Sequence, residues 1–225
     1  MTIIEPTKRS VQNPERTKTY SATLRFWHWA NMIIIAGSLL TVLLNSTVLD
    51  DRSDAAFLKT ELQKSGAAVT NDQTQTVAHA LSDKVWGIHI YFGYGLTALL
   101  LFRLILEFFQ LADQKFIRIL KMAYNKLQQT KKERETARHD FFVKLIYSAF
   151  YFLLLLMVLT GLFLAFEDFF APYKSIRPSV RSFHGFCMYL VLAFITVHLL
   201  GVFLAERKDS KGIVSDMING GGDKD

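Results

Sequence analysis

The chain has 225 residues, of which 51% are hydrophobic, and it carries a formal net charge of +6. Its single cysteine excludes a disulfide framework and any metal cluster held by several thiolates. The positive charge does not indicate nucleic-acid binding, because it is concentrated in segments that flank long apolar blocks, where membrane topology accounts for it. The composition therefore predicts a protein whose surroundings are membrane lipid.

The N-terminal segment, up to about Tyr20, is polar and basic. It contains no apolar stretch followed by a small-residue cleavage site, so we expect no cleavable signal peptide. The first apolar block follows directly and is long enough to be an uncleaved membrane span.

Four apolar blocks have the length that a bilayer requires, since a hydrocarbon core of about 30 Å is crossed by roughly 20 residues of helix. Continuously apolar helices of this length are not typical of soluble proteins. The blocks predict spans over residues 24–48, 86–109, 141–166 and 180–205. The predicted fold class is all-α, an integral membrane four-helix bundle. We expect one domain over residues 1–225, with a polar N-terminal segment and a polar C-terminal tail.

The segments between the spans differ in charge. Residues 50–84 are interpreted as a solvated loop with a short helix around residues 55–65, whereas residues 110–140 are rich in lysine and arginine. The tail after Glu206 is polar and ends in glycines, so we expect it to be frayed. Because cytoplasmic segments carry an excess of lysine and arginine, both termini and the second loop are predicted to be cytoplasmic. The first and third loops then face the outside.

Four histidines lie within the predicted spans, where ionisable side chains are costly and usually functional. They are His28, His89, His184 and His198. Haem needs neutral imidazoles in an apolar slot, whereas a zinc enzyme usually adds carboxylates or cysteines. No aspartate or glutamate lies at the centre of a span. A hydrogen-bonded packing role is the alternative for any one of these histidines, but four together favour haem.

The spacing of the histidines predicts how they pair. His184 and His198 are 14 residues apart, which is about four turns and roughly 21 Å along one helix face. One helix can thus supply one axial ligand to each of two stacked haem b groups. His28 and His198 share cytoplasmic depth, and His89 and His184 share outer depth. The predicted axial pairs are therefore His28–His198 and His89–His184, which leave no open iron position and favour electron transfer.

Other residues have two interpretations each. Glycines within the spans either let a porphyrin approach the backbone or serve helix packing; they are Gly93, Gly95 and Gly161. Arginines near span ends either pair with haem propionates or extend to lipid headgroups; they are Arg25, Arg103 and Arg181. The tryptophans near span ends are typical of an interfacial belt; they are Trp27, Trp29 and Trp86. Cys187 is predicted to be a small packing residue.

Several motifs are shared with a known family. They are RFWHW at Arg25–Trp29, IHIYFGY at Ile88–Tyr94 followed by LLLFRLILEFF, the segment Phe183–His198, and the tail after it. With these motifs the chain resembles the di-haem b-type cytochrome subunit of membrane-bound nickel–iron hydrogenases, and more broadly the bacterial four-helix b-type cytochromes. The likeness covers all four spans and the tail.

This resemblance has implications for ligands, location and partners. It implies haem ligands at the same four histidines and a place in the bacterial inner membrane. It also implies an iron–sulfur small subunit on the outer face, whose electrons pass through both haems to a quinone. By the same resemblance the quinone binds near His28, His198 and Leu199. A subunit of this kind is not expected to have catalytic activity alone.

The sequence does not identify the redox partner. The first loop is longer and more polar than expected for the family, and the third loop is shorter. One alternative is the cytochrome subunit of another oxidoreductase, such as a formate dehydrogenase or a thiosulfate reductase. Another is a stand-alone superoxide:quinone oxidoreductase with cations near its outer haem; the candidates are Lys84, Lys174, Arg177 and Arg181. A non-redox membrane scaffold is disfavoured by the four histidines.

Overall fold

The computed structural model describes residues 20–49, 51–109, 134–208 and 212–220, and this part of the chain is helical with no strand. The predicted all-α fold class is confirmed. In chain order the helices are α1 (Ala22–Thr47), α2 (Asp51–Lys64), α3 (Asn71–Phe109), α4 (Arg134–Ala165), α5 (Arg177–Lys208) and α6 (Ile213–Asn219). A 3-10 helix, Ala171–Ile176, joins α4 to α5.

Four of these helices, α1, α3, α4 and α5, are long and apolar enough to cross a membrane. They coincide with the four predicted spans, although α3 begins 15 residues and α4 begins seven residues before the predicted start. The basic residues at positions 1–19 and 110–133, which carry most of the topology argument, lie outside the described residues. The orientation of the termini therefore stays a prediction.

The chain divides into two units by its internal contacts. The first comprises Met1–Trp29 and Leu99–Asp225, and the second comprises Ala30–Ala98. In the first unit, α4 and α5 pack against each other. Leu154 and Cys187 are each 1% exposed, and the rings of Phe150 and Phe194 stack with centroids 4.0 Å apart. Cys187 is thus a packing residue, as its apolar setting predicts.

In the second unit, the interpretation of residues 50–84 as a loop with one short helix is wrong for residues 71–84, which form the first turns of α3. Thr70 and Gln73 form a reciprocal capping box, in which each side-chain oxygen accepts the other's backbone N–H at 3.2 and 2.9 Å. Gly66 ends the preceding helix with a φ of +88°, and Ala67 N–H donates back to Leu62, the pattern of a Schellman turn. Two helical segments, α2 and the first turns of α3, therefore occupy most of the expected loop.

The tail is also more ordered than expected, since α6 occupies residues that were predicted to fray. The Glu206 carboxylate accepts the backbone N–H groups of Gly212 at 2.7 Å and Val214 at 3.4 Å. These are amides at the start of α6, where a helix leaves its N–H groups without backbone partners. Glu206 thus caps α6 from the end of α5, and the frayed-tail prediction is wrong for Ile213–Asn219.

Candidate functional site

The first unit brings together two of the four intramembrane histidines. His28 on α1 and His198 on α5 have ring centroids 6.2 Å apart, with their planes tilted by 55°. A metal lies about 2 Å from a ligating imidazole nitrogen, so two imidazoles on opposite sides of one metal have centroids roughly 6 Å apart. These are the two histidines that the depth argument pairs. Their separation fits the axial ligands of one haem iron.

The surroundings of this pair are aromatic. Phe194 stacks on the His198 ring at 5.8 Å with planes 6° apart, and Trp29 meets the His28 ring edge-on at 5.4 Å. The His28 Nδ1 atom is buried and has no hydrogen-bond partner among the described residues. Neutral imidazoles in an apolar slot are what haem ligation requires, and this setting provides them.

His89 lies in the second unit, where residues of α1 hold its ring. Its Nδ1 is 3.0 Å from the Thr41 hydroxyl oxygen, and 3.3 Å from both the hydroxyl and the carbonyl oxygen of Ser38. The Trp86 ring meets the His89 ring edge-on at 5.5 Å. His89 is therefore oriented through one nitrogen by oxygen atoms on a neighbouring helix.

His184 lies in the first unit and is held by α4 in the same manner. Its Nδ1 is 2.7 Å from the Thr160 hydroxyl oxygen. A Cβ built on Gly161 would lie 3.4 Å from His184 Cε1, so the glycine leaves room for the imidazole. His184 and His198 lie on one unbroken helix, as their spacing requires. The pairing of His184 with His89 stays a prediction.

The two other span glycines differ from each other. A Cβ on Gly95 would lie 2.9 Å from the Ile34 side chain, so this position serves the close packing of α3 on α1. A Cβ on Gly93 would meet nothing within 4 Å. Gly93 thus has open space beside it, and its predicted role in admitting a porphyrin stays a prediction.

The arginine near the start of α1 contacts the tail of the chain. Arg25 donates from Nη1 to the Ile218 carbonyl at 2.6 Å, and Trp29 donates from its indole nitrogen to the Met217 carbonyl at 3.1 Å. Both acceptors are carbonyls in the last turn of α6, which have no helical partner of their own. The Arg25 Nε atom is buried without a hydrogen-bond partner among the described residues.

A second cluster in the first unit surrounds Tyr151 on α4. The Trp27 ring stacks on it at 5.4 Å, and Arg103 Nε donates to its hydroxyl at 3.3 Å. Trp27 also donates to the Leu99 carbonyl at 3.0 Å and is only 6% exposed. Trp27 is thus a core residue, and its assignment to an interfacial belt is wrong.

The connection between α4 and α5 contains carboxylates as well as cations. Arg177 pairs with Glu167 and donates to the Leu164 carbonyl at 2.8 Å. Both side chains line a shallow cleft together with Asp168 and Lys174. Arg181 is exposed near the start of α5. Two of the cations suggested for an anionic substrate thus share their cleft with two carboxylates.

The residues that orient the histidines were not among the predicted site residues, and the docking of α6 was not predicted either. The orienting residues are Ser38, Thr41 and Thr160. A usable signal was present for the threonines, because each is a hydroxyl residue within an otherwise apolar span. No group of three or more histidine, cysteine, aspartate or glutamate side chains in the described ranges forms a metal site. A haem with two axial imidazoles does not require one.

Apolar helices that carry histidines within their spans, two of them at the separation of axial ligands, define a multi-pass membrane protein of the haem-binding class. A family model described as prokaryotic cytochrome b561 matches residues 19–220, and the chain belongs to this family. This is the family of the b-type cytochrome subunit of nickel-dependent hydrogenases, so the resemblance is confirmed. The chain is a membrane b-type cytochrome that binds haem b and transfers electrons. No curated protein and no solved structure matches it.

Proposed function

We propose that this protein carries two haem b groups and passes electrons through the bacterial inner membrane to a quinone. The donor in this proposal is the iron–sulfur small subunit of a hydrogenase, bound at the outer face. The observation that carries the proposal is the 6.2 Å separation of the His28 and His198 rings. It is the spacing expected for two imidazoles on one iron, and it occurs between the two histidines that topology assigns to one depth.

Each bound haem supplies a one-electron carrier, and the chain's own residues determine where it lies. In the proposal His28 and His198 hold the inner haem, and His89 and His184 hold the outer one. The 14-residue spacing on α5 places the two histidines that would hold the haems roughly 21 Å apart along the helix axis. Within its own unit, Gly161 adjoins the His184 ring, and Gly93 has open space beside it in the other unit.

The inner pair also has neighbours suited to a propionate and to a quinone. Arg25 lies one helical turn before His28, and its buried, unpartnered Nε suits a carboxylate of the inner haem. Leu199 follows His198 and is 61% exposed, so a quinone that arrives through the lipid meets an apolar surface next to the ligand. Arg103 and Arg181 stay weaker candidates for propionates, since Arg103 already bonds to Tyr151.

The haem proposal is tested by stoichiometry. A pyridine haemochrome assay on the purified chain should give two haem b groups per polypeptide. His28→Ala and His198→Ala should each lose the inner haem and retain the outer one. His89→Ala and His184→Ala should each lose the outer haem and retain the inner one. His79→Ala is the matched control, because His79 lies in the polar first turns of α3 and should retain both haems. A single haem in the unaltered protein would contradict the proposal.

The partner is tested separately. Affinity purification of the protein from mildly solubilised membranes should recover the large and small subunits of a hydrogenase, and hydrogen should then reduce both haems. The superoxide alternative predicts instead that the isolated chain reduces quinone with superoxide. The carboxylates beside Arg177 and Lys174 argue against an anion site there, so we expect no such activity. Recovery of formate dehydrogenase subunits would replace the partner and leave the haem proposal in place.

A further inference from the structure

The hydrogen bonds at His89 and His184 have a definite direction. The Ser38 carbonyl can only accept, so its 3.3 Å contact requires the proton on His89 Nδ1. The Thr41 hydroxyl donates its one proton to the same carbonyl at 2.6 Å, and it can therefore only accept from the imidazole. With the proton on Nδ1, the ligating nitrogen of His89 is Nε2.

The same arrangement recurs at His184. The Thr160 hydroxyl donates to the Leu156 carbonyl at 2.6 Å, so its 2.7 Å contact with His184 Nδ1 is accepted from the imidazole. In both cases a helix carbonyl uses the threonine proton, and the threonine oxygen is left as an acceptor for the ring. Two helices, α1 and α4, thus supply the same device to two different histidines.

The cytoplasmic pair differs from these two. The His28 Nδ1 atom is buried without a partner in the described part of the chain, and the contacts recorded there for His198 are ring contacts with His28 and Phe194. An acceptor at the second imidazole nitrogen makes the ligating nitrogen more basic. A more basic axial ligand stabilises the ferric state and lowers the reduction potential, because hydrogen bonding to the ligands is one of the protein's means of setting it.

We propose that Thr41 and Thr160 are positioning residues that hold the outer histidines through Nδ1 and lower the potential of the outer haem below that of the inner one. This inference rests on the proposed function for the presence and pairing of the haems. It assigns to two side chains the downhill direction of electron transfer, from the outer face toward the quinone.

The test is a potentiometric titration of the purified protein, followed by visible spectroscopy. Thr160→Val removes the hydroxyl acceptor of His184 Nδ1 with little change in volume. Thr41→Val removes the nearest acceptor of His89 Nδ1, at 3.0 Å, and leaves the Ser38 oxygens at 3.3 Å. Each should raise the lower of the two midpoint potentials and leave the higher one in place. Removing an outer-shell partner of a ligating histidine typically changes metal affinity or activity by about 10–100-fold. A tenfold change in the reduction equilibrium corresponds to about 59 mV for one electron.

Two threonines on the other apolar helices, α5 and α3, provide matched controls. Thr196 and Thr97 donate to the carbonyl four residues earlier, at 2.9 and 2.8 Å, as Thr160 does. Neither has a recorded contact with a histidine in the described ranges. Thr196→Val and Thr97→Val should therefore leave both midpoints unchanged. Thr41→Ser and Thr160→Ser retain the hydroxyl and should restore the unaltered value, which a purely structural role would not require.

The possible outcomes distinguish the positioning role of the two threonines from the proposed di-haem function. Unchanged midpoints in both valine variants, with two haems still bound, would overturn the positioning role and leave the di-haem function intact. Shifts in different midpoints would overturn the pairing of His89 with His184, which belongs to the proposed function. If a valine variant loses its haem, the corresponding serine variant tests whether the hydroxyl group is responsible. Recovered haem at the original potential supports the hydroxyl role, and no recovery overturns it.

Discussion

At the scale of single residues, the imidazoles of this cytochrome are distinguished by what they bond to. A hydroxyl oxygen holds His184 and His89, whereas His28 faces aromatic rings and has a buried nitrogen without a partner in the described ranges. The hydroxyl groups that make these contacts belong to Thr160 and Thr41, which are polar residues within otherwise apolar spans. The groups that orient His89 and His184 are thus a few polar residues within otherwise apolar helices.

Gly161 provides a prediction at this scale, because its missing side chain leaves room for the His184 ring. In Gly161→Leu the branched side chain would displace the imidazole, and we expect loss of one of the two haems, measured by haem content and difference spectra. Gly161→Ala is the matched control, since its Cβ would lie at an ordinary contact distance of 3.4 Å from His184 Cε1 and the haem should be retained. Retention of both haems in Gly161→Leu would show that the ring tolerates a neighbour at this position.

At the scale of elements, helix ends carry information that hydropathy does not. Apolar length predicted the four spans because the bilayer imposes that length on any spanning helix. The extension of α3 back to Asn71 was missed because its first turns are polar, and only the cap formed by Thr70 and Gln73 marks its start. The contacts of α6 with Arg25 and Trp29 were missed because these side chains lie nearly 200 positions away in the sequence, and no local pattern reveals them.

The cap of α3 gives a prediction at this scale. Thr70→Ala removes the hydroxyl acceptor of Gln73 N–H, and loss of such a cap costs about 1 kcal/mol of helix stability. Hydrogen exchange should show faster exchange of the amides in the first two turns of α3. Thr76→Ala is the control, because its hydroxyl bonds within the helix to the Asp72 carbonyl. Equal protection in both variants would contradict a capping role.

The docking of α6 gives a second prediction. Glu206→Ala removes the carboxylate that accepts the Gly212 and Val214 amides, so α6 should exchange its amides faster. Trp29, which donates to Met217, should become more accessible to acrylamide in fluorescence quenching. Glu206→Gln retains one acceptor oxygen and should fall between the alanine variant and the unaltered protein. No change in either measurement would show that α6 is held without this cap.

At the scale of the whole molecule, the sequence determines the four spans, but the topology rests on charge. Most of the lysines and arginines that predict it lie outside the described residues. The sole cysteine is 1% exposed, which leaves a nearly silent background for labelling with thiol reagents. The direction of the helices in the membrane can therefore be measured directly.

The corresponding prediction uses two exposed serines, one in the turn after α2 and one in α6. Ser65→Cys should react with a membrane-impermeant maleimide in intact cells, and Ser215→Cys only after the inner membrane is opened. The unaltered chain is the control for Cys187 and should remain unlabelled. The reverse pattern would place the termini outside and exchange the predicted depths of the two histidine pairs.

Gly37 lies at a close approach of α1 and α3 in the second unit. A Cβ on Gly37 would lie 2.4 Å from the Phe92 ring, so only a hydrogen atom fits where α1 crosses α3. Gly37 is adjacent to Ser38 and one turn before Thr41, which reach across the same crossing to His89. A methyl group here would force the Phe92 ring to move, next to the residues that contact the imidazole. In the proposed function, the contacts that orient an iron ligand therefore lie beside a position where a hydrogen atom is the only side chain that fits without moving a neighbour.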